Sequence, residues 1–69
     1  MKLVYEATGL PVTVGEYTTT FRGERCQVID IRPPTSPSST GRVDLKIGEF
    51  THEYFPGVIN AKWINRDDR

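Results

Sequence analysis

Asp30-Ile31-Arg32-Pro33-Pro34-Thr35-Ser36-Pro37-Ser38-Ser39-Thr40-Gly41-Arg42-Val43-Asp44 is the stretch that decides the fold, because a polar, proline-punctuated segment interrupts two hydrophobic runs. Pro33, Pro34 and Pro37 have no N–H to give to a ladder, and the serines and threonines between them prefer turns. Pro33 to Gly41 is therefore expected as a surface loop joining two strands.

Upstream of the loop, Arg25 to Arg32 is the strongest strand. Its apolar residues Cys26, Val28, Ile29 and Ile31 fall on both faces, as a strand that bends between two sheets requires. Downstream, Arg42 to Ile47 alternates cleanly, with Val43, Leu45 and Ile47 toward the core and Arg42, Asp44 and Lys46 toward water. Gly48-Glu49 is a tight hairpin signal, and Phe50 to Phe55 is the returning strand. Pro56-Gly57 breaks it, Gly57 to Asn60 suits a single 3₁₀ turn, and Ala61 to Ile64 forms a last short strand carrying Trp63. On the amino-terminal side, residues 1–11 hold a first strand or edge segment, Lys2 to Glu6, closed by the turn signal Thr8-Gly9-Leu10-Pro11. Val12 to Tyr17 and Thr18 to Phe21 follow as strands, then a turn at Arg22-Gly23-Glu24 in which Gly23 permits a positive φ. No window of a dozen residues keeps helical spacing without a breaker, so the chain reads as all-β.

The 69 residues make one domain, 1–69, with the run Arg66-Asp67-Asp68-Arg69 inside a tail, 65–69, that frays in solvent. A chain of this length buries only about 60% of its unfolded surface, and its stability is of the order of 3 to 10 kcal/mol, so self-association is an expected way of gaining more. Nine basic and nine acidic residues cancel, also locally, which makes nucleic acid an unfavoured partner. The single Cys26 excludes an internal disulfide and multi-cysteine zinc sites, and reads as a small buried hydrophobe. The amino terminus lacks the apolar segment of a signal peptide, and no run approaches the ~18 apolar residues of a membrane span. The sequence-level expectation is a cytoplasmic protein without membrane contact.

The order of strands, a long loop, a tight distal hairpin, one helical turn and a final short strand resembles SH3-like barrels. Val12 to Ile64 carries that order, without a diagnostic peptide motif. The resemblance implies a small five-stranded SH3-like barrel with one long loop and a 3₁₀ turn before the last strand. At the level of phrases, Phe21-Arg22-Gly23-Glu24, Ser39-Thr40-Gly41-Arg42-Val43 and Glu53-Tyr54-Phe55-Pro56-Gly57-Val58 resemble segments of small uncharacterised proteins encoded by bacteriophages and prophages. That likeness implies a phage or bacterial origin and leaves the activity open. Peptide-binding SH3 domains use an acidic loop, a tryptophan after the long loop and a proline-asparagine-tyrosine cluster. Here Arg42-Val43 follows the loop, the only tryptophan is in the last strand, and the helical turn reads Phe55-Pro56-Gly57-Val58, which argues against recognition of proline-rich peptides.

The residue types needed for catalysis are missing or isolated. His52 is the only histidine and reads as a strand residue, since a metal site would need ligands that one distant cysteine does not supply. Ser36, Ser38 and Ser39 lie in the loop with no base held beside them. The carboxylates do not pair for acid–base work, and Glu53 is expected across from Lys46 or Lys62 as a surface ion pair. Gly41, behind Ser38-Ser39-Thr40, does not make a phosphate loop; the hydroxyls more simply bond their own backbone. No cofactor, metal or catalytic residue is expected.

Seven aromatics are more than a barrel of this size hides, because its core takes alternate positions only. Trp63 and one of Tyr54 and Phe55 are expected inside, with Tyr17, Phe21 and the other aromatic near Pro56 left at the surface. Pro34-Thr35-Ser36-Pro37 spells P-x-x-P, although a constrained loop explains the prolines as well. The candidate interaction surface is thus Tyr17, Phe21, Arg22, Pro34, Pro37, Thr40, Arg42, Tyr54 and Pro56. The sequence favours a non-enzymatic protein-interaction module that binds another protein or itself. Two alternatives remain: a nucleic-acid-binding barrel using Arg22, Arg25, Arg32 and Arg42 with Tyr17 and Phe21 for stacking, and an oligomeric small-barrel enzyme, similar in architecture to the plasmid-borne trimethoprim-resistant dihydrofolate reductases.

Overall fold

Six strands and one 3₁₀ turn make up the computed structural model, which describes residues 2–35 and 39–64. In chain order they are β1 (Lys2–Tyr5), β2 (Tyr17–Thr19), β3 (Arg25–Arg32), β4 (Arg42–Ile47), β5 (Phe50–Tyr54), the 3₁₀ turn Pro56–Ile59, and β6 (Ala61–Ile64). All pairings are antiparallel: β2-β3-β4-β5 form one sheet and β1-β6 a second. The architecture is all-β, with a core of Leu3, Val12, Cys26, Val28, Val43, Leu45, Ile59 and Ala61 between the two sheets. The sheets are separate ladders and do not share a strand.

The apolar run in β3 is accommodated by a bulge. Val28 pairs with Leu45 and Ile31 with Val43, so three steps along β3 match two along β4, and Ile29 is the extra residue. Without it, Val28 and Ile31 would point to opposite faces; with it, Val28 is fully buried, Ile31 packs against the core, and Ile29 turns outward. The hairpin at Gly48-Glu49 has the expected two-residue loop, closing Ile47 on Phe50, with Gly48 at a φ of 64° as a type II′ turn asks of its first central residue.

Two of the expected strands differ. Val12 to Tyr17 is not a strand: Val12 donates to the Leu3 carbonyl (2.9 Å), and residues 13–16 then turn, with the Glu16 N–H donating to the Thr13 carbonyl and the Thr13 N–H to the Glu16 carboxylate. Gly15, at a φ of 96°, reverses the chain so that its N–H reaches the Val28 carbonyl. The following strand is shorter than Thr18 to Phe21 and begins one residue earlier, at Tyr17. It stops because Thr20 is buried and its hydroxyl accepts the N–H groups of Arg22 and Glu24 (both 3.2 Å), closing the turn around Gly23. Ile47 and Trp63, expected inside, are half-buried and pack against the core from its rim.

Trp63 joins the two sheets. Its Nε1–H donates to the Thr40 carbonyl (2.7 Å), and its ring lies so close over Gly41 that a Cβ there would stand 2.7 Å from the indole and 2.8 Å from the Arg32 carbonyl. Gly41 also has a φ of 67°, where any other residue is strained. Gly41→Ala should therefore cost about 2–4 kcal/mol, from left-handed strain and overpacking together, read as a lowered urea midpoint at unchanged slope. A midpoint equal to that of the parent chain would show that the Trp63 contact does not hold the sheets.

Candidate functional site

Four aromatic rings stand exposed among the described residues. Tyr17 is 60% accessible, Phe21 61%, Phe50 68% and Phe55 56%, while Tyr54 is half-buried. Three of the exposed rings carry an arginine. The guanidinium of Arg25 lies 5.1 Å from the Tyr17 centroid, that of Arg22 5.7 Å from Phe21, and that of Arg42 4.2 Å from Phe55. At exposed sites such stacks contribute about 0.5–1 kcal/mol each, and they hold a ring face against a charge that keeps it wetted.

The residues singled out from the sequence fall in three places. Phe21, Arg22 and Tyr54 meet in a groove of about 290 Å³, completed by Thr20, Glu24, Ile47 and Val58. The turn carrying Phe21 is tied there by its N–H to the Val58 carbonyl (2.8 Å). Thr40 and Arg42 lie at the start of β4, where Arg42 donates to the Gly41 carbonyl (2.7 Å) and the Thr40 hydroxyl (3.1 Å) before reaching Phe55. Pro56 is buried under that end and Pro34 is half-buried; Pro37, and with it the second half of the P-x-x-P segment, lies outside the described residues, as does the tail 65–69. The Ser39 hydroxyl accepts the Gly41 N–H (3.2 Å), a local turn bond.

Tyr17 belongs to the third place, a larger groove of about 410 Å³ lined by Tyr5, Ala7, Thr8, Leu10, Glu16, Tyr17, Thr18, Ile59 and Asn60. Leu10 and Tyr17 form its exposed apolar rim. Tyr5, Leu10 and Ile59 were not anticipated as a surface. Leu10 carried a signal, an apolar residue inside the turn Gly9-Leu10-Pro11 with no strand to bury it. Tyr5 and Ile59 carried none, because their proximity depends on the β1–β6 pairing and on the 3₁₀ turn, which Asn60 ends at a φ of 56°.

The groove floor is ordered by one carboxylate. Glu16 accepts both the Tyr5 hydroxyl (2.5 Å) and the Thr13 N–H (3.1 Å). Burial above all, then the hydrogen bond to Glu16, pushes the Tyr5 phenol up to about 12 from its ordinary 10.0. On the outer face of the large sheet, Asp30, Asp44 and Glu53 stand in one cross-strand row, and Arg32 serves all three, at 3.9, 2.9 and 3.4 Å. Above all the hydrogen bond to Asp44 holds its guanidinium above the ordinary arginine range. Glu53 therefore pairs with Arg32 rather than with a lysine: the hairpin register places Lys46 beside Thr51, and Lys62 is on the other sheet. Cys26 is buried, its thiol donates to the Thr18 carbonyl (3.6 Å), and burial followed by the charge of Glu24 pushes it up. Among the described residues no group of three or more His, Cys, Asp and Glu side chains converges to hold a metal ion, and no helix is long and apolar enough to cross a membrane.

Comparison with family models, with curated proteins and with solved structures finds no match to the chain. The site is therefore read from its own geometry.

Because the fold favours the neutral Tyr5 phenol, its contribution to stability is complete below pH 10 and is lost as the pH rises through about 12. Tyr5→Phe should remove about 1–2 kcal/mol at neutral pH and flatten this alkaline decline, measured as urea midpoints across the range. An identical decline in both proteins would show that Tyr5 is not its source.

Proposed function

We propose that the chain is a non-enzymatic protein-interaction module, built as a small SH3-like barrel of phage or bacterial kind, that takes an apolar segment of a partner protein into the groove of Tyr5, Leu10, Tyr17 and Ile59. The strand order, the two-residue distal hairpin and the 3₁₀ turn before β6 support the barrel reading; the seam between β5 and the Phe21 turn stays open as the smaller groove. The observation that carries the functional reading is the groove's composition. Leu10 and Tyr17 are both more than half exposed on a chain whose whole core is a handful of small and medium side chains. Large side chains exposed beside a formed concavity are what a partner's side chain packs against, and the polar groups of the lining, the Tyr5 hydroxyl held by Glu16 among them, can orient it.

The arginine arrangement favours protein over nucleic acid. Arg32 is engaged by three carboxylates, and Arg22, Arg25 and Arg42 lie over the rings that bases would otherwise stack on. Arg25 and Arg42 also stand at opposite ends of the large sheet, which gives no single basic track for a phosphate chain.

Selection from a displayed peptide library should return an apolar consensus, and Leu10→Ser or Tyr17→Ser should weaken its binding about tenfold or more while leaving the melting temperature within a few degrees. A library that enriches nothing, or peptides that bind both variants as well as the parent, would overturn the proposal. Salt-sensitive binding of labelled single-stranded DNA or RNA would replace it with the nucleic-acid reading.

A further inference from the structure

The outer edge of β5 is unprotected in a way that the other edge of its sheet is not. Among the described residues no strand pairs with it. The two-residue hairpin closes on Ile47 and Phe50, which exchange both backbone bonds. By alternation Phe50, His52 and Tyr54 turn their N–H and C=O groups toward β4, and Thr51 and Glu53 turn theirs outward. Edges are normally blunted by proline, a bulge, lysine, an inward-pointing charge or shortness. The opposite edge, β2, is only three residues long. β5 has five residues and none of the other devices; its one formal charge, Glu53, is occupied by Arg32. On its core-side face Phe50, His52 and Tyr54 form a row with ring centroids 6.4 and 6.3 Å apart, and Phe50 is the most exposed large hydrophobic of the described chain.

We propose that two copies of the chain associate through these edges, β5 pairing antiparallel with β5 of the second copy about a two-fold axis at His52. In this register Thr51 faces Glu53 of the second copy and exchanges both backbone bonds with it, twice by symmetry. Phe50 faces Tyr54 of the second copy, so the two aromatic rows become one continuous surface. Glu49 faces Phe55 of the second copy, whose ring carries the Arg42 guanidinium, so an acid meets a base at each end of the pairing.

The neighbouring symmetric registers are disfavoured by charge, which Arg32 offsets only in part. Shifting the axis to Thr51 sets Glu49 against Glu53, and shifting it to Glu53 sets that residue against its own copy; like charges directly opposite are destabilising. Odd shifts would put the core face of one strand beside the outer face of the other. Only the His52-centred register satisfies backbone, rings and charges together. An interface of one strand edge is at the small end, below roughly 1,200 Å², so the dimer depends on concentration.

Sedimentation equilibrium over a concentration series tests this on the whole chain. The mass should rise from one chain toward two. Thr51→Pro removes an outward N–H without touching the β4 ladder and should weaken association about tenfold or more at unchanged melting temperature. Glu49→Arg and Arg42→Glu should each weaken it severalfold, and the two together should restore it, a readout that does not depend on the proline variant folding. Tyr17→Ser, placed in the partner groove, should leave it unchanged, so that loss of peptide binding and loss of the dimer are told apart. A single-chain mass at every concentration would overturn the proposal, as would a dimer indifferent to Thr51→Pro and to the charge exchange.

Discussion

The contact of the Trp63 indole with Gly41 is the constraint on which the rest of the structure depends. The two sheets share no strand, so their relative position is set by what crosses between them. The core side chains press them together without fixing an angle. Trp63 does fix one, because its ring fills the space above a residue that has no side chain and its N–H is bonded to the Thr40 carbonyl. The polar loop before Gly41 then has a definite end point, and Arg42 begins β4 in the register that brings Val43 and Leu45 to the core. A hydrogen bond and a missing methyl group thus determine where the long loop stops and the sheet starts.

A small core has consequences at the surface. With so few fully buried side chains, the chain has nowhere to hide all its rings, and it manages them by position. Arginines are laid over Tyr17, Phe21 and Phe55, which keeps these rings hydrated on one face and available on the other. Phe50, 68% exposed, stacks on His52, and no arginine lies over its ring among the described residues. The carboxylate row Asp30, Asp44 and Glu53 is the electrostatic counterpart: three like charges across adjacent strands are tolerated because Arg32 spans them.

What was legible in the sequence depended on how local the signal was. The described parts of the loop, Pro33 to Thr35 and Ser39 to Gly41, the alternation of Arg42 to Ile47, the Gly48-Glu49 hairpin and the 3₁₀ turn all rest on chemistry within a few residues, and each stands in the structure. The buried Cys26 followed from its residue type. Val12 to Tyr17 misled because its valines and threonine suit a strand, while the competing turn depends on the Glu16 carboxylate reaching back to Thr13 and on Gly15 meeting Val28 from another strand. The partner of Glu53 was misjudged for want of register, which a sequence does not print. Of the surface, the exposure of Tyr17 and Phe21 followed from counting rings against core positions. The grooves did not, because Tyr5, Leu10 and Ile59 come together only through pairing across the ends of the chain. The row Phe50, His52 and Tyr54 was present as a period of two, yet its exposure required knowing that β5 is an edge strand of the described sheet.

Cys26 carries a consequence of its own. It sits beneath the shortest strand of the large sheet, with its sulfur directed at the Thr18 carbonyl and its proton held more firmly than in a free thiol. An alkylating reagent reaches a side chain this buried only through an opening of the fold, and separation of the three-residue β2 from β3 is a smaller opening than global unfolding. The rate of labelling at the chain's single sulfhydryl is therefore a measure of how readily the core opens.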